Sequence, residues 1–493
     1  MTDTDATIAA SVGVDAAMLI GGSPVSRAER IDVISPSNTA WRVGSIPGGT
    51  VEDVRGAVAA AGRAFREWSR VSFADRAATL VQAAEALLAG EPERAVLLAA
   101  ENGQTLAEAT GGVRGCSRTL RYYADMAASF PLVDELPTPN GRVLVSRDSM
   151  GVAVLIVPWN APTRLAFLGL APILLAGNSV VVKPPSEAPL ALIDALTAVA
   201  PLFPPGTINI VTGRGDSVGR ALVSDPGVRK VNFTGSTATG KEIVRLAADT
   251  LKRLSLELGG NDPAVVLADA DLDHAVPELV RGSFALSGQM CYDVKRIYVE
   301  ADLYPEFVAR FTAATDELVV GDGLDPRSTM GSMISDGQRG RLDRLVADAR
   351  RDGGRIEEVG HRLDESTWGR GYFRLPAVVT GVDERSELVH SEQFGPAIPI
   401  MSVASVDEAL ERANATEYGL AASVWSRDEE RAFGLAARIE AGTSFVNVHR
   451  LGASGDDMPF GGFKESGLGR SHGVVALEEQ FELHTISSRR PPG

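Results

Sequence analysis

Cysteine is nearly missing from this chain: Cys116 and Cys291 are the only two in 493 residues. Two thiols cannot staple a chain of this length, so a disulfide framework is excluded and a reducing compartment is expected. The six histidines are scattered, and neither H-E-x-x-H nor C-x-x-C spacing occurs, so no metal site is expected. Long basic runs are missing too: none exceeds the length of the pair Arg489 and Arg490. With a net charge of −16 the surface repels a nucleic-acid backbone, which excludes nucleic acid as a partner. No apolar run reaches membrane-spanning length. The most apolar segment, "LAFLGLAPILLAGNSVVV" from Leu165, is broken by Pro172, Gly177 and Asn178, whereas a spanning helix needs about 18 or more apolar residues. The acidic start "MTDTDATIAASVGVDAAMLI" has no positive n-region, so it does not read as a secretory signal. These absences predict a cytoplasmic protein with no membrane partner. Short-period repeats and low-complexity segments are also lacking.

What remains is an ordinary globular composition, 44% hydrophobic and 23% charged, long enough for a large core and for about three domains. The spacing of Val54, Val58, Ala61, Phe65 and Trp68 predicts a helix behind a Thr50–Asp53 capping box, and a second helix is expected from Ser72 to Gly90. From Gly151 strands and helices alternate. "VAVLIV", "SVVVKP", "TINIVTG", "RKVNFTG" and "LSLELGG" are short apolar runs separated by helical segments, among them "LALIDALTAVAPL" and "DSVGRALVSD". Such runs indicate a parallel sheet covered on both faces, a doubly wound domain closing near Gly260. A second α/β series starts at "DPAVVLADADLD" and continues through "KRIYVE", a helix from about Pro305, "AIPIMSV" and "AASVWS" to about Phe445. Between Leu132 and Val145, "LVDELPTPNGRVLV" reads as strand–turn–strand on the strength of its "PNG".

Three local features could carry chemistry. "GSTATGKE", Gly235 to Glu242, stands between a predicted strand and helix and nearly matches the phosphate-cradling G-x-x-x-x-G-K-S/T. Glu242 occupies the place of the hydroxyl that would bind magnesium, which favours the pyrophosphate of a dinucleotide at a bare helix start over a triphosphatase; an ordinary strand–helix turn is the third reading. Cys291, in "SGQMCYDVKR", reads either as a buried structural thiol or as a nucleophile needing a base or a positive dipole to ionise it. Glu257, in "LELGG", ends a parallel strand, where ligands bind, or is a solvated carboxylate. Taken singly, each residue favours its structural reading.

Together they point elsewhere. "VPWNAP", "KPPSEAP", "FTGSTATG", "ELGGNDP", "GQMC", "EQFGP" and "PFGGFKESGLGR" occur in this order, and the chain from about Ile31 to His484 resembles the aldehyde dehydrogenase superfamily. The resemblance implies two doubly wound α/β domains plus a small oligomerisation hairpin: an NAD(P)-binding domain over 1–128 and 148–259, an oligomerisation arm over 129–147 and 478–493, and a catalytic domain over 260–477. It implies NAD or NADP as cofactor, a small-molecule aldehyde as substrate, and a homodimer or homotetramer. Cys291 would attack the aldehyde, with the oxyanion held by the Asn160 amide and the Cys291 N–H. Glu257 would activate water to hydrolyse the thioester. Cofactor contacts fall on Trp159, Lys183, Ser186, Gly235, Ser236, Glu392 and Phe394, with Lys183 and Glu392 on the riboses. Candidates for the substrate tunnel are Ala161, Arg164, Leu165, Leu168, Met290, Tyr292, His449 and Phe460. A CoA-acylating semialdehyde dehydrogenase and a non-catalytic binding protein on the same scaffold are the alternatives.

Three departures from the family pattern carry expectations. Ser186 stands where NAD-preferring members often have a glutamate, which admits the 2′-phosphate of NADP; the neighbouring Glu187 is expected to point away. Gly169 and Ser471 replace a lysine–glutamate pair of many members, so Glu257 and water are expected to deacylate without it. Arg164 falls among apolar tunnel positions, and either grips an anionic substrate tail or turns to solvent or a subunit contact.

Overall fold

A computed structural model of the protein describes residues 13–138, 141–450 and 456–489. Most of the acidic start, the Pro139–Asn140 centre of the expected turn and the last residues of the expected arm, 490–493, lie outside them.

The first sheet is built on the five strands read from the apolar runs: Val152–Ile156, Ser179–Lys183, Ile208–Ile210, Val228–Thr234 and Arg253–Glu257. All five are parallel. Val152–Ile156 lies between Ser179–Lys183 on one side and Val228–Thr234 on the other. The chain winds outward one way from this strand, then crosses back and winds the other way. That reversal leaves a crevice beyond the carboxyl ends of Val152–Ile156 and Val228–Thr234, where an open α/β sheet binds its ligand. Met18–Ile20 and Ser23–Val25 extend one edge, and Gly467–Leu468 pairs antiparallel with Leu256 and Glu257 at the other.

The second sheet orders Arg355–Glu358, Ala377–Thr380, Ala397–Val403, Val294–Glu300, Asp262–Val266, Ala421–Trp425 and Thr443–Val446. Only Arg355–Glu358 runs antiparallel to its neighbour. The doubly wound α/β architecture expected from the alternation is thus present twice. A third, antiparallel sheet joins Val133–Leu136 and Gly141–Ser149 to Phe481–Arg489, leaving Val133, Leu136, Leu483 and Ile486 exposed.

The helix Val51–Trp68 begins at the expected Thr50–Asp53 capping box, and Phe73–Ala89 is capped by Ser72. "DSVGRALVSD" is less regular than expected: a single wide turn over Gly215–Gly219 leads into a short helix, Arg220–Ser224. Two helices not read from the sequence, Glu91–Asn102 and Leu106–Met126, share the largest apolar cluster with the helix Pro162–Leu175. That last helix is apolar nearly all round because it is enclosed on most sides. Among the described residues no helix is long and apolar enough to cross a membrane.

Candidate active site

Two cavities meet at the crevice. The inner one, about 400 Å³, is bounded by the start of the helix Pro162–Leu175, by Met290 to Tyr292 and by Phe460. The outer groove, about 630 Å³, runs past Trp159, Lys183, Gly235 and Glu392. Asn160, Leu165, Phe233, Thr234 and Cys291 line both. The thiol therefore stands where a molecule in one cavity meets a molecule in the other.

The segment before Cys291 is strained. Leu286 and Ser287 adopt positive φ, and Gly288 follows at φ 72°. A Cβ at Gly288 would lie 2.6 Å from the Gly395 carbonyl carbon, so only glycine fits there. Glu108 pins the bend: it closes a capping box on Thr105, and its Oε1 accepts from Leu286 N at 2.9 Å. Sequence reading missed Glu108, whose only signal was its place three residues after Thr105. Glu108→Ala leaves the Leu286 N–H unpaired, a cost of about 1–3 kcal/mol. The expected outcome is a lower Tm by calorimetry and a smaller reactive-thiol fraction by thiol titration.

Asn160 Nδ2 donates to Gln289 O at 2.8 Å, which fixes the amide against the cysteine loop; its other contact is the weak acceptor Met290 Sδ at 3.7 Å. Asn102, also missed from sequence, donates from Nδ2 to Trp159 O at 2.5 Å and to Asn160 O at 3.2 Å. Burial pushes the Cys291 thiol well above its usual range, and the carboxyls of Glu392, Asp262 and Glu257 add to this against an opposing Lys295. The resting thiol is protonated.

Glu257 lies at the carboxyl end of its strand with Oε2 enclosed and unpartnered. Burial raises its carboxyl to about 8, while Ser471 and Arg470 pull the other way. A carboxyl poised there can take a proton near neutral pH.

The outer groove fits a dinucleotide. Lys183 is buried with its ammonium lowered by desolvation, and Pro184 O at 3.2 Å is its hydrogen-bond acceptor, leaving N–H groups for a ligand. Ser236 caps the helix Thr237–Ala247, whose free N–H groups face the groove. Glu392 Oε1 accepts from Gly260 N at 3.2 Å, and burial raises its carboxyl. Phe394, at positive φ, meets Trp159 edge to face, with ring centroids 5.5 Å apart. Ser186 and Glu187 both line the groove. Lys241 instead pairs with Glu465 at 2.6 Å, and Glu242 with Arg220. The near-P-loop thus lacks the free lysine that a triphosphatase needs.

The sequence model of the Aldehyde dehydrogenase family matches residues 24–486. The chain belongs to this family. It is 36% identical to the 3-sulfolactaldehyde dehydrogenase of Pseudomonas putida, covering 93% of each chain. It is 33% identical to the NADP(+) succinate-semialdehyde dehydrogenase of Escherichia coli, covering 92% of this chain and 93% of that one. Among solved structures it matches betaine aldehyde dehydrogenase from Staphylococcus aureus in complex with NAD+, with a TM-score of 0.93 and 30% identity, covering 97% of this chain and 96% of that one. The protein is an NAD(P)-dependent aldehyde dehydrogenase, oxidising an aldehyde to a carboxylic acid.

Within this aldehyde dehydrogenase, Ala161, Arg164, Leu165, Leu168, Met290, Tyr292 and Phe460 line the inner cavity. His449 does not. It is buried behind Tyr292, with Nε2 2.9 Å from Tyr292 O and Nδ1 2.8 Å from Ser423 Oγ, and desolvation lowers it to about 3. A buried imidazole bonded at both nitrogens is a neutral packing group that holds the cysteine loop from behind. Arg164 faces the cavity with its guanidinium already committed: it donates to Gly115 O at 2.8 Å, to Thr119 Oγ1, and to Asp456 Oδ1 at 3.0 Å. Glu187, expected to point away, lies on the outer groove, because the chain bends over Ser186 to Ala188 before the next helix starts at Leu190.

Proposed function

We propose that Cys291, Asn160 and Glu257 carry the oxidation, and the observation behind this is the placing of Cys291 where the two cavities join. Trp159, Lys183, Ser186, Gly235, Ser236, Glu392 and Phe394 hold the cofactor. Bound there, the oxidised nicotinamide supplies the hydride acceptor. Cys291 gives its thiol proton to solvent, and the thiolate sulfur adds to the aldehyde carbon. The Asn160 N–H that faces only Met290 Sδ and the Cys291 N–H take the developing alkoxide, each such donor being worth about 2.7–4 kcal/mol. Oxidation leaves the acyl group on sulfur. Glu257 then removes a proton from water, the water oxygen bonds to the acyl carbon, the C–S bond breaks and the thiolate leaves. The acidic water-activating group favours hydrolysis over transfer to CoA.

The two large sheets support a division into cofactor binding over 1–128 and 148–259 and catalysis over 260–477, with Gly467–Leu468 of the latter crossing to the first sheet. The exposed apolar side chains of the third sheet support an oligomerisation arm and a homodimer or homotetramer. The scarcity of cysteine supports a cytoplasmic site of action.

For substrate, the aromatic and aliphatic wall and the pairing of Arg164 with Asp456 favour a medium-sized neutral aldehyde. Arg118, exposed on the cavity rim, supports a second reading, a semialdehyde with an anionic tail. Nicotinamide reduction with NAD and NADP across neutral and acidic aldehydes tests both. Preference for neutral aldehydes supports the first, and preference for acidic ones that Arg118→Leu removes supports the second. No reduction with any pair overturns the activity.

Glu187 bears on the cofactor. A carboxylate on the groove opposes a 2′-phosphate, and an exposed charge pair is worth up to about 1 kcal/mol, roughly fivefold. Glu187→Gln is expected to lower KM for NADP by about that factor and to leave KM for NAD unchanged, read from initial rates.

A further inference from the structure

Strands covered on both faces are normally apolar on both, and successive side chains alternate between faces. One face of Val228–Thr234 and Arg253–Glu257 departs from this. Lys230, Asn232 and Thr234 pair in register with Arg253, Ser255 and Glu257. Six polar side chains therefore stand in two adjoining rows, leading from Glu257 toward the amino ends of the strands. Asn232, Ser255, Glu257 and Gln480 line the floor of the inner cavity, beside Gly169 and Ser471. Glu257 Oε2, Asn232 Nδ2 and Gln480 Oε1 are buried without a protein partner. Each such atom is costly unless paired, and three around one cavity supply the donors and acceptors that hold ordered water. Beyond them the Ser255 hydroxyl donates to Glu479 Oε2. Glu479 Oε1 accepts from Arg470 N at 2.7 Å, and Oε2 lies 3.6 Å from Lys230 Nζ. The Glu479 side chain is 24% exposed and opens on a surface hollow shared with Lys230, Arg253 and Glu482.

We propose that this polar wall is a proton exit, in which water held by Asn232 and Gln480 links Glu257 to Ser255, and Ser255 to Glu479 at the surface. The proposal rests on Glu257 as the base of thioester hydrolysis. Each turnover leaves on Glu257 a proton taken from the attacking water, and the base cannot act again until that proton departs. Glu257 passes it to the held water. The water passes a proton to Ser255 Oγ as the Ser255 hydroxyl proton moves to the Glu479 carboxylate, and Glu479 releases it to solvent. Protons are conserved throughout, and no other reactant is consumed. Lys230, Arg253 and Glu482 surround the exit. Ser255, Asn232, Gln480 and Glu479 are positioning and carrying groups that act through Glu257.

Decay of the acyl-enzyme, followed by rapid-quench mass spectrometry beside the burst of reduced nicotinamide, tests the exit. Ser255→Ala and Glu479→Gln are expected to keep the burst and to slow acyl-enzyme decay about tenfold, less than the 10²–10⁴ typical of a group that moves the proton at the reacting atom. Ser255→Thr and Glu479→Asp retain a hydroxyl and a titratable carboxyl, and are expected to recover most of the rate. Wild-type decay in Ser255→Ala and Glu479→Gln, beside a stalled Glu257→Gln, would overturn the exit and leave the base standing. A slow decay that Thr and Asp do not restore would mark a packing role and overturn it as well. Normal decay in Glu257→Gln would remove the reading of Glu257 on which the exit rests.

Discussion

Cys291→Ala is expected to abolish aldehyde-dependent reduction of NAD and NADP, a loss on the order of 10⁴-fold or more, as in other enzymes deprived of their nucleophile. No other thiol can stand in. Cys116 is enclosed within the helix Leu106–Met126, its Sγ donates to Gly112 O at 3.3 Å, and burial pushes it up to about 11. Removing Sγ disturbs neither the Asn160–Gln289 contact nor Lys183 and Glu392, so cofactor affinity by fluorescence titration is expected to stay near wild type. Reduction persisting in this variant would mean that the chemistry lies at another atom. Because burial holds the thiol well above its usual range, and the thiolate is the attacking form, the wild-type acylation rate is expected to climb with pH across the neutral range.

Glu257→Gln has the next largest effect. The amide cannot take a proton, so the burst of reduced nicotinamide is expected to survive while steady-state turnover falls by about 10²–10⁴. The pH profile identifies the group. Burial raises the carboxyl to about 8, and only its ionised form is a base, so wild-type deacylation rises with pH up to about 8 and then levels. The glutamine variant lacks that limb. Stability should move the opposite way. Above the ordinary glutamate range the unfolded chain has released a proton that the native state still holds, so stability declines as pH rises from about 4.5 to about 8. Glu257→Gln removes that penalty and is expected to melt higher than wild type at pH 8. A variant that is both stalled and more stable is the signature of a residue kept for function at the expense of stability.

Much of the architecture was legible because the strands of a parallel sheet, buried on both faces, are written as uninterrupted Val and Ile runs, as in "VAVLIV" and "SVVVKP". The edge strands were not. Met18–Ile20, beside the edge strand Ser23–Val25, and Gly467–Leu468 are too short to show a period, and the longer strands they join, Ile208–Ile210 and Arg253–Glu257, lie far along the chain. The helices Glu91–Asn102 and Leu106–Met126 passed unread, although the second begins at a capping box. At the site, motif order named residues that the fold places around two joined cavities, but side-chain direction lay beyond it. His449 sits one residue outside the wall it was assigned to, because a lone histidine carries no sign of which way its ring turns. Arg164 gave no hint of Asp456, whose partnership depends on a contact between distant segments. The polar wall under Glu257 became visible only once two strands were set in register.

That register has a consequence for the chain as it is made. The strand bearing Glu257 is flanked on its outer side by Gly467 and Leu468, and Gly141–Ser149 is paired along its length by Phe481–Arg489. Both partners lie far downstream in the chain, at Gly467–Leu468 and Phe481–Arg489. Translation at about 5–20 residues per second therefore holds two strand edges open for many seconds after their own sheets have begun to form. The nascent protein is expected to be inert and prone to edge-to-edge association until those two strands emerge, so a stop codon placed just before Gly467 should yield aggregate in place of a slower enzyme.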